Sequence, residues 1–170
     1  RLGALKKLKQ ERPELIVGVI GCMAQNERER IFVHAPHVDL VCGTFEIAEL
    51  PTLLRSLIEE RRQVLRVAEH QIVFGPRNLA CRPVKHQAFV LIMRGCDNFC
   101  SYCVVPYVRG GEKSRPVAEV VAECDALARD GVKEIILLGQ NVDSYGRSLK
   151  DGTSLAALLR AVHPIEGLER

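Results

Sequence analysis

The chain has 170 residues, 47% hydrophobic and 26% charged, enough for a packed core in one domain or two small ones. A net charge of +3 gives neither a basic tail nor a strongly basic face, so charge by itself announces no nucleic-acid partner. No apolar run approaches the length of a bilayer span and no signal peptide precedes the first helix, so the expectation is no membrane and a reducing cytoplasm.

Apolar periodicity predicts a basic amphipathic helix over residues 2–11, a strand over 15–20, a helix over 25–34 and a short strand over 38–41. A longer helix over 46–62, with Pro51 early in it, and a strand over 64–67 close this set. Strands alternating with helices, and a run as uniformly apolar as 15–20, predict a parallel sheet covered on both faces. The first domain is therefore placed at 1–67. Residues 68–86 lose periodicity around Gly75, Pro76 and Pro83 and read as a linker. A second α/β unit, 87–170, follows with a strand over 89–93, a helix over 116–130, a strand over 134–138 and a helix over 154–162. Pro116 suits a first helical turn, where its missing N–H costs nothing.

Between the first strand and first helix of that unit stands GCDNFCSYC, with Cys96, Cys100 and Cys103. Thiolates at this spacing can hold three corners of a cubic iron–sulfur cluster and leave one iron open to bind and activate a small molecule. A structural zinc site usually takes two cysteine pairs or adds histidine, yet no histidine lies between Cys103 and His163. The next cysteine, Cys124, falls on an apolar helical face and is expected in a core. Seven cysteines, an odd number, fit a disulfide framework poorly. Cys42 lies in an apolar strand, whereas Cys81 falls in the linker. Cys22 directly follows the strand over 15–20, and a buried core thiol is its plain reading.

In α/β architectures working residues gather at the carboxyl ends of parallel strands. The cysteine loop and Gly139-Gln-Asn141 both follow strands, so the two loops should lie side by side. On the residues alone, Gly139, Gln140 and Asn141 fit an ordinary polar turn equally well. Tyr102 fits an ordinary packing residue. Arg109, Glu112, Lys113 and Arg115 lie where charged groups meet a cofactor or substrate, and a surface turn is equally compatible. Lys6, Lys7, Lys9 and Arg12 read as a solvated helix face, with an RNA-contacting patch as the minor alternative.

CxxxCxxC with Tyr102 before its last cysteine resembles the cluster loop of the radical S-adenosylmethionine superfamily. The wider run GCDNFCSYCVVPYVRGGEKSRP, then EIILLGQNVDSYG, with GCMAQ at Gly21 to Gln25 and VCGTFEIAELPTLL at Val41 to Leu54, resembles the methylthiotransferases, in particular the branch acting on tRNA adenosine. The resemblance spans nearly the whole chain. It implies a truncated amino-terminal methylthiotransferase domain followed by the start of a radical SAM (β/α) partial barrel. It further implies a 4Fe–4S cluster on Cys96, Cys100 and Cys103, whose open iron is chelated by S-adenosylmethionine and whose electron cleaves it to a 5'-deoxyadenosyl radical. Tyr102 would pack near the adenine, and Gly139, Gln140 and Asn141 would help to hold the cofactor's amino group. Cys22 becomes one ligand of a second 4Fe–4S cluster.

The implied reaction adds a methylthio group to C2 of N6-isopentenyladenosine beside the tRNA anticodon, with S-adenosylmethionine and an electron donor as further partners and a monomer as the working state. Alternatives are the branches that modify a ribosomal-protein aspartate or threonylcarbamoyl-adenosine, and, from another class, a non-catalytic iron–sulfur or zinc module. Asn141 favours the tRNA branch, because the protein-modifying branch usually carries aspartate there. The helical start without a cap and the room for only two strand–helix units read as a piece of a longer protein. The piece alone is expected to be inactive in the full reaction.

Overall fold

A computed structural model describes residues 2–68, 74 and 84–170. Most of the expected linker, with Cys81, lies outside the described residues. The chain divides into two compact units, Arg1–Val73 with Tyr107–Arg109, and Phe74–Pro106 with Gly110–Arg170.

The first unit runs α1 (Leu2–Glu11), β1 (Gly18–Ile20), α2 (Cys22–Glu27), α3 (Arg30–His34), β2 (Leu40–Cys42), α4 (Leu50–Glu60) and β3 (Val64–Arg66). Its strands form one parallel sheet in the order β1-β2-β3, with Val41 opposite Val19 on one side and Leu65 on the other. Alternation along β2 explains how two layers attach to it. Val41 packs with Ala24, Ile31 and Ala35 beneath α2 and α3, while Leu40 and Cys42 pack with Leu53 and Leu57 of α4. The expected parallel sheet covered on both faces is thus realised at β2. It is not realised at β1, where Ile20 remains 44% exposed because that strand is the edge of the three.

Two local corrections follow from backbone conformation. The helix expected over 25–34 is broken at Arg28, whose φ of 48° leaves the right-handed helical region. The helix expected over 46–62 begins as a 3-10 turn, Ile47–Glu49, and stops at Arg61, which adopts the left-handed conformation that commonly ends helices. Lys9 is not simply solvated: it pairs with Asp39, whose carboxylate also accepts the Val17 amide at 2.8 Å.

The second unit runs β4 (Gln87–Leu91), β5 (Met93–Arg94), β6 (Lys113–Ser114), α6 (Val117–Arg129), β7 (Glu134–Leu138) and α7 (Leu155–Val162); between β5 and β6 the chain forms α5 (Val105–Arg109), whose Tyr107–Arg109 group with the first unit. β4 and β7 pair in parallel, Gln87 opposite Glu134 and Leu91 opposite Leu138. Ala88 and Val90 join a core with Val120, Cys124 and Leu127 of α6 and Leu158 of α7, while Phe89, pointing the other way, is 49% exposed. Pro116 caps α6 from an extended backbone, and the Ser154 hydroxyl caps α7 by accepting the Ala157 amide at 3.3 Å.

The strand expected over 89–93 splits in two for a reason that bears on the site. The Ile92 amide still bonds Leu138 at 2.9 Å, but the Ile92 carbonyl takes the Arg115 amide at 2.8 Å, and Met93–Arg94 then pairs antiparallel with Lys113–Ser114. The chain leaves the parallel sheet and closes a hairpin around the cysteine loop. Arg115 is drawn inward at the base of that hairpin, its guanidinium bonded to the Leu91 carbonyl at 2.9 Å and the Glu123 carboxylate at 2.6 Å. It braces the hairpin against α6 and is not a plain surface turn.

Candidate cofactor site

The loop between β5 and β6 is held at three points. Gly95 is buried with φ +76°, and a Cβ there would lie 2.0 Å from the Gly111 carbonyl oxygen, so only glycine fits. Its amide donates to the side-chain oxygen of Gln140 at 2.7 Å. Next, the Cys96 amide bonds the Gly110 carbonyl at 3.2 Å. Third, the Asp97 carboxylate accepts the Glu112 amide at 3.0 Å, and the Glu112 carboxylate accepts the hydroxyl of buried Ser144.

Within this frame the cysteines lie outward. Cys100 is exposed, Cys96 and Cys103 are half-buried, and all three are free thiols. A tight turn links the last two, with the Cys103 amide bonded to the Cys100 carbonyl at 2.9 Å. Phe99, just before Cys100, adopts a left-handed φ of 45°, which turns the chain between the first and second cysteines. Tyr102 is 90% exposed, so it packs against nothing in its own unit.

Gly139, Gln140 and Asn141 sit at the carboxyl end of β7 and meet the cysteine loop through the Gln140 contact, so the two loops adjoin as expected. A Cβ on Gly139 would lie 2.5 Å from Cγ of Met93, which explains the glycine at the strand end. The Asn141 carbonyl accepts the Ser144 amide at 3.1 Å and lies 2.8 Å from the Ser144 hydroxyl oxygen, opening the 3-10 turn Val142–Ser144. Buried Tyr145 then donates its hydroxyl to the Arg115 carbonyl at 2.7 Å, fastening this second loop to the hairpin base.

Cys22 belongs to the first unit, where it opens α2 after Gly21, whose φ of 99° turns the chain off β1. It is half-buried and free. Cys42 and Cys124 are fully buried, as their apolar surroundings predicted. Burial raises both thiols, with nearby Glu46 and Glu49 adding to the effect at Cys42 and Glu123 at Cys124, which is pushed to about 11.

Among the described residues no three His, Cys, Asp or Glu side chains gather tightly enough to hold a single metal ion. A cubic cluster makes a different demand, one thiolate to each of several irons, so its ligands lie along a loop without converging on one point. The donor set fits that demand: three soft, free thiols on one open loop, none committed to the core or to a disulfide. Also among the described residues, no helix is long and apolar enough to cross a membrane.

A parallel strand feeds a three-cysteine loop with a second polar loop bonded beside it, an α/β unit whose donors suit a cubic iron–sulfur cluster. Residues 90–167 match the radical SAM superfamily, and residues 1–43 match a family described as uncharacterized protein family UPF0004. Similar proteins include three named tRNA-2-methylthio-N(6)-dimethylallyladenosine synthase. Those from Carboxydothermus hydrogenoformans, Caldicellulosiruptor saccharolyticus and Pelotomaculum thermopropionicum are 44%, 46% and 47% identical over 99–100% of this chain. The chain spans 36–39% of their length. The chain belongs to the radical SAM methylthiotransferase family. Membership implies a 4Fe–4S cluster and S-adenosylmethionine as cofactors.

Proposed function

We propose that this chain carries the cofactor-binding part of a methylthiotransferase that modifies C2 of N6-isopentenyladenosine beside a tRNA anticodon. In this reading residues 1–67 form the amino-terminal methylthiotransferase domain and 87–170 the start of the radical SAM core. Cys96, Cys100 and Cys103 hold the cluster that binds S-adenosylmethionine, and Cys22 is one ligand of a second 4Fe–4S cluster. One observation carries it: an open three-thiol loop fastened to the GQN loop through Gly95 and Gln140, in a chain 44–47% identical throughout to relatives of that name.

The reaction asks for removal of hydrogen from an unactivated aromatic C–H, beyond the reach of a general base or an ordinary nucleophile. When bound, the cluster and S-adenosylmethionine supply the radical chemistry that this requires. The protein's own contribution is placement. Gln140 fixes the start of the cysteine loop through its oxygen and keeps its amide nitrogen for a ligand, while Gly139 and Asn141 shape the adjoining wall. Tyr102, exposed in its own unit, is available to lie against an adenine. The working enzyme is a cytoplasmic monomer that draws on an electron donor and on the tRNA anticodon loop, whose base must leave its stack to reach the site.

The branch modifying a ribosomal-protein aspartate is the second reading, and Asn141 together with the relatives' names favours the tRNA branch. Nucleoside mass spectrometry of tRNA from cells lacking the full-length gene tests the choice. Loss of methylthio-isopentenyladenosine is expected; unchanged levels of that nucleoside overturn it.

A further inference from the structure

The second unit holds a cavity of about 580 Å³ against the cysteine loop, lined by Asp97, Asn98, Glu112, Arg147, Ser148 and Lys150. Its size lies within the range of small-ligand sites, ~300–1,000 Å³. Two groups of opposite character line it. Glu112 gives one oxygen to Ser144, and its other oxygen, Oε1, is buried with no hydrogen-bond partner among the described residues. A buried acceptor of this kind is costly unless a donor reaches it. Asp97 beside it spends Oδ1 on the Glu112 amide, and Asn98, also in the lining, is exposed. Arg147 and Lys150 also line the cavity and make no ion pair among the described residues. Ser148 between them accepts the Ser114 amide at 2.7 Å, which leaves its own O–H to donate.

A ligand that satisfies both groups carries an N–H donor and an anion. We propose that this cavity seats one nucleotide of single-stranded RNA, the amino edge of the base on Glu112 Oε1 and its phosphate on Arg147 and Lys150. Carboxylates accept from base amino groups, and arginine and lysine pair with phosphate, so each half has the partner its chemistry selects. S-adenosylmethionine shares the adenine and has its own amine, but its sulfonium and ammonium outweigh its carboxylate. Asp97 and Glu112 balance the two cations, so the choice of RNA over S-adenosylmethionine rests on the phosphate that Arg147 and Lys150 can pair with, and the test below reads both ligands. The inference rests on the reading of this chain as part of an RNA-modifying enzyme and adds to it the side chains that grip the RNA.

The test is fluorescence anisotropy with the full-length protein and a labelled anticodon stem-loop oligoribonucleotide, across a salt series. Arg147→Gln with Lys150→Gln should weaken binding about tenfold at low salt and lower the slope of log affinity against log salt by ~0.7, the one single-strand phosphate they share. Arg147→Lys with Lys150 intact should keep the wild-type slope. Glu112→Gln should weaken binding of the stem-loop several-fold and leave binding of inorganic phosphate unchanged. Unaltered melting temperature in the Arg147 and Lys150 variants excludes loss of fold as the cause. An unchanged slope in the double variant overturns the proposal, and so does loss of S-adenosylmethionine binding with RNA affinity intact, which would assign the cavity to the cofactor. Lost RNA affinity alongside unchanged tRNA nucleosides in the gene-deletion cells would instead remove the proposed reaction and leave this site standing.

Discussion

The side-chain oxygen of Gln140 accepts the amide of Gly95 at 2.7 Å, across 45 positions of sequence, and so ties the GQN loop to the residue that launches the cysteine loop. Gly95 is buried, and Gln140 is the acceptor its N–H finds among the described residues. Gln140→Ala should therefore cost ~1–3 kcal/mol, the usual penalty for a buried donor left without a partner. Gln140→Glu keeps an acceptor in place and should recover most of that loss. Urea unfolding of the three proteins checks the order, and equal stability of Gln140→Ala and wild type would show that the bond contributes nothing.

Gly95 and Gly3 make a matched pair with opposite expected signs. Gly95→Ala forces a side chain into φ +76° and within 2.0 Å of a backbone carbonyl, and should destabilise by at least ~2 kcal/mol. Gly3 lies in α1, and a methyl group added there would meet nothing within 4 Å, so Gly3→Ala should stabilise by up to ~1 kcal/mol. Thermal unfolding of the two variants reads both signs directly.

What the residues disclose beforehand and what they hide divide along the range of the interactions. Strand 134–138 is legible to the residue, and α6 lies one residue inside its expected bounds at each end, because both are set by local apolar periodicity and by Pro116. The nearness of the cysteine loop to Gly139–Asn141 is also legible, since parallel strands put their carboxyl-end loops on one edge. The β5–β6 hairpin is not, for two-residue strands have no period to detect and their pairing joins Met93 to Ser114 across the whole loop. Helix α5 is hidden for a related reason: Val105–Arg109 is too short to show a face. The partners of Lys9 and Arg115 also escape, because a charged side chain in sequence looks the same whether solvated or bonded inward.

Cys124 gives the second unit a pH dependence on its alkaline side. Its thiol is pushed from 9.0 to about 11 in the folded chain, mainly by burial. The folded state holds this proton more tightly than the unfolded one. The contribution is therefore complete below pH 9 and is lost as pH rises from there to about 11, where the folded thiol also titrates. The loss should amount to roughly 2 kcal/mol. Other groups titrate in the same window, so Cys124→Ala is the reference. Wild type should lose more stability than Cys124→Ala between pH 8 and pH 11 in urea unfolding, and parallel losses would show that the thiol does not contribute.

The triad and Cys22 should separate cleanly when iron and sulfide are restored anaerobically. Cys96, Cys100 and Cys103 are open, uncommitted thiols on one loop, so each single change to alanine should remove the iron–sulfur absorbance of that loop and with it 5'-deoxyadenosine formation in the presence of S-adenosylmethionine and a strong reductant. Cys22 stands in the other unit at the start of α2, and Cys22→Ala should leave cofactor cleavage at the wild-type level while lowering any iron content above one cluster per chain. Exposure makes Cys100 the most vulnerable of the three to alkylation before reconstitution, while buried Cys42 and Cys124 should resist it. Zinc in place of iron and sulfide, with no 5'-deoxyadenosine from the wild-type chain, would return the loop to a structural metal site. Cofactor cleavage that survives loss of a triad cysteine but not of Cys22 would reverse the two assignments.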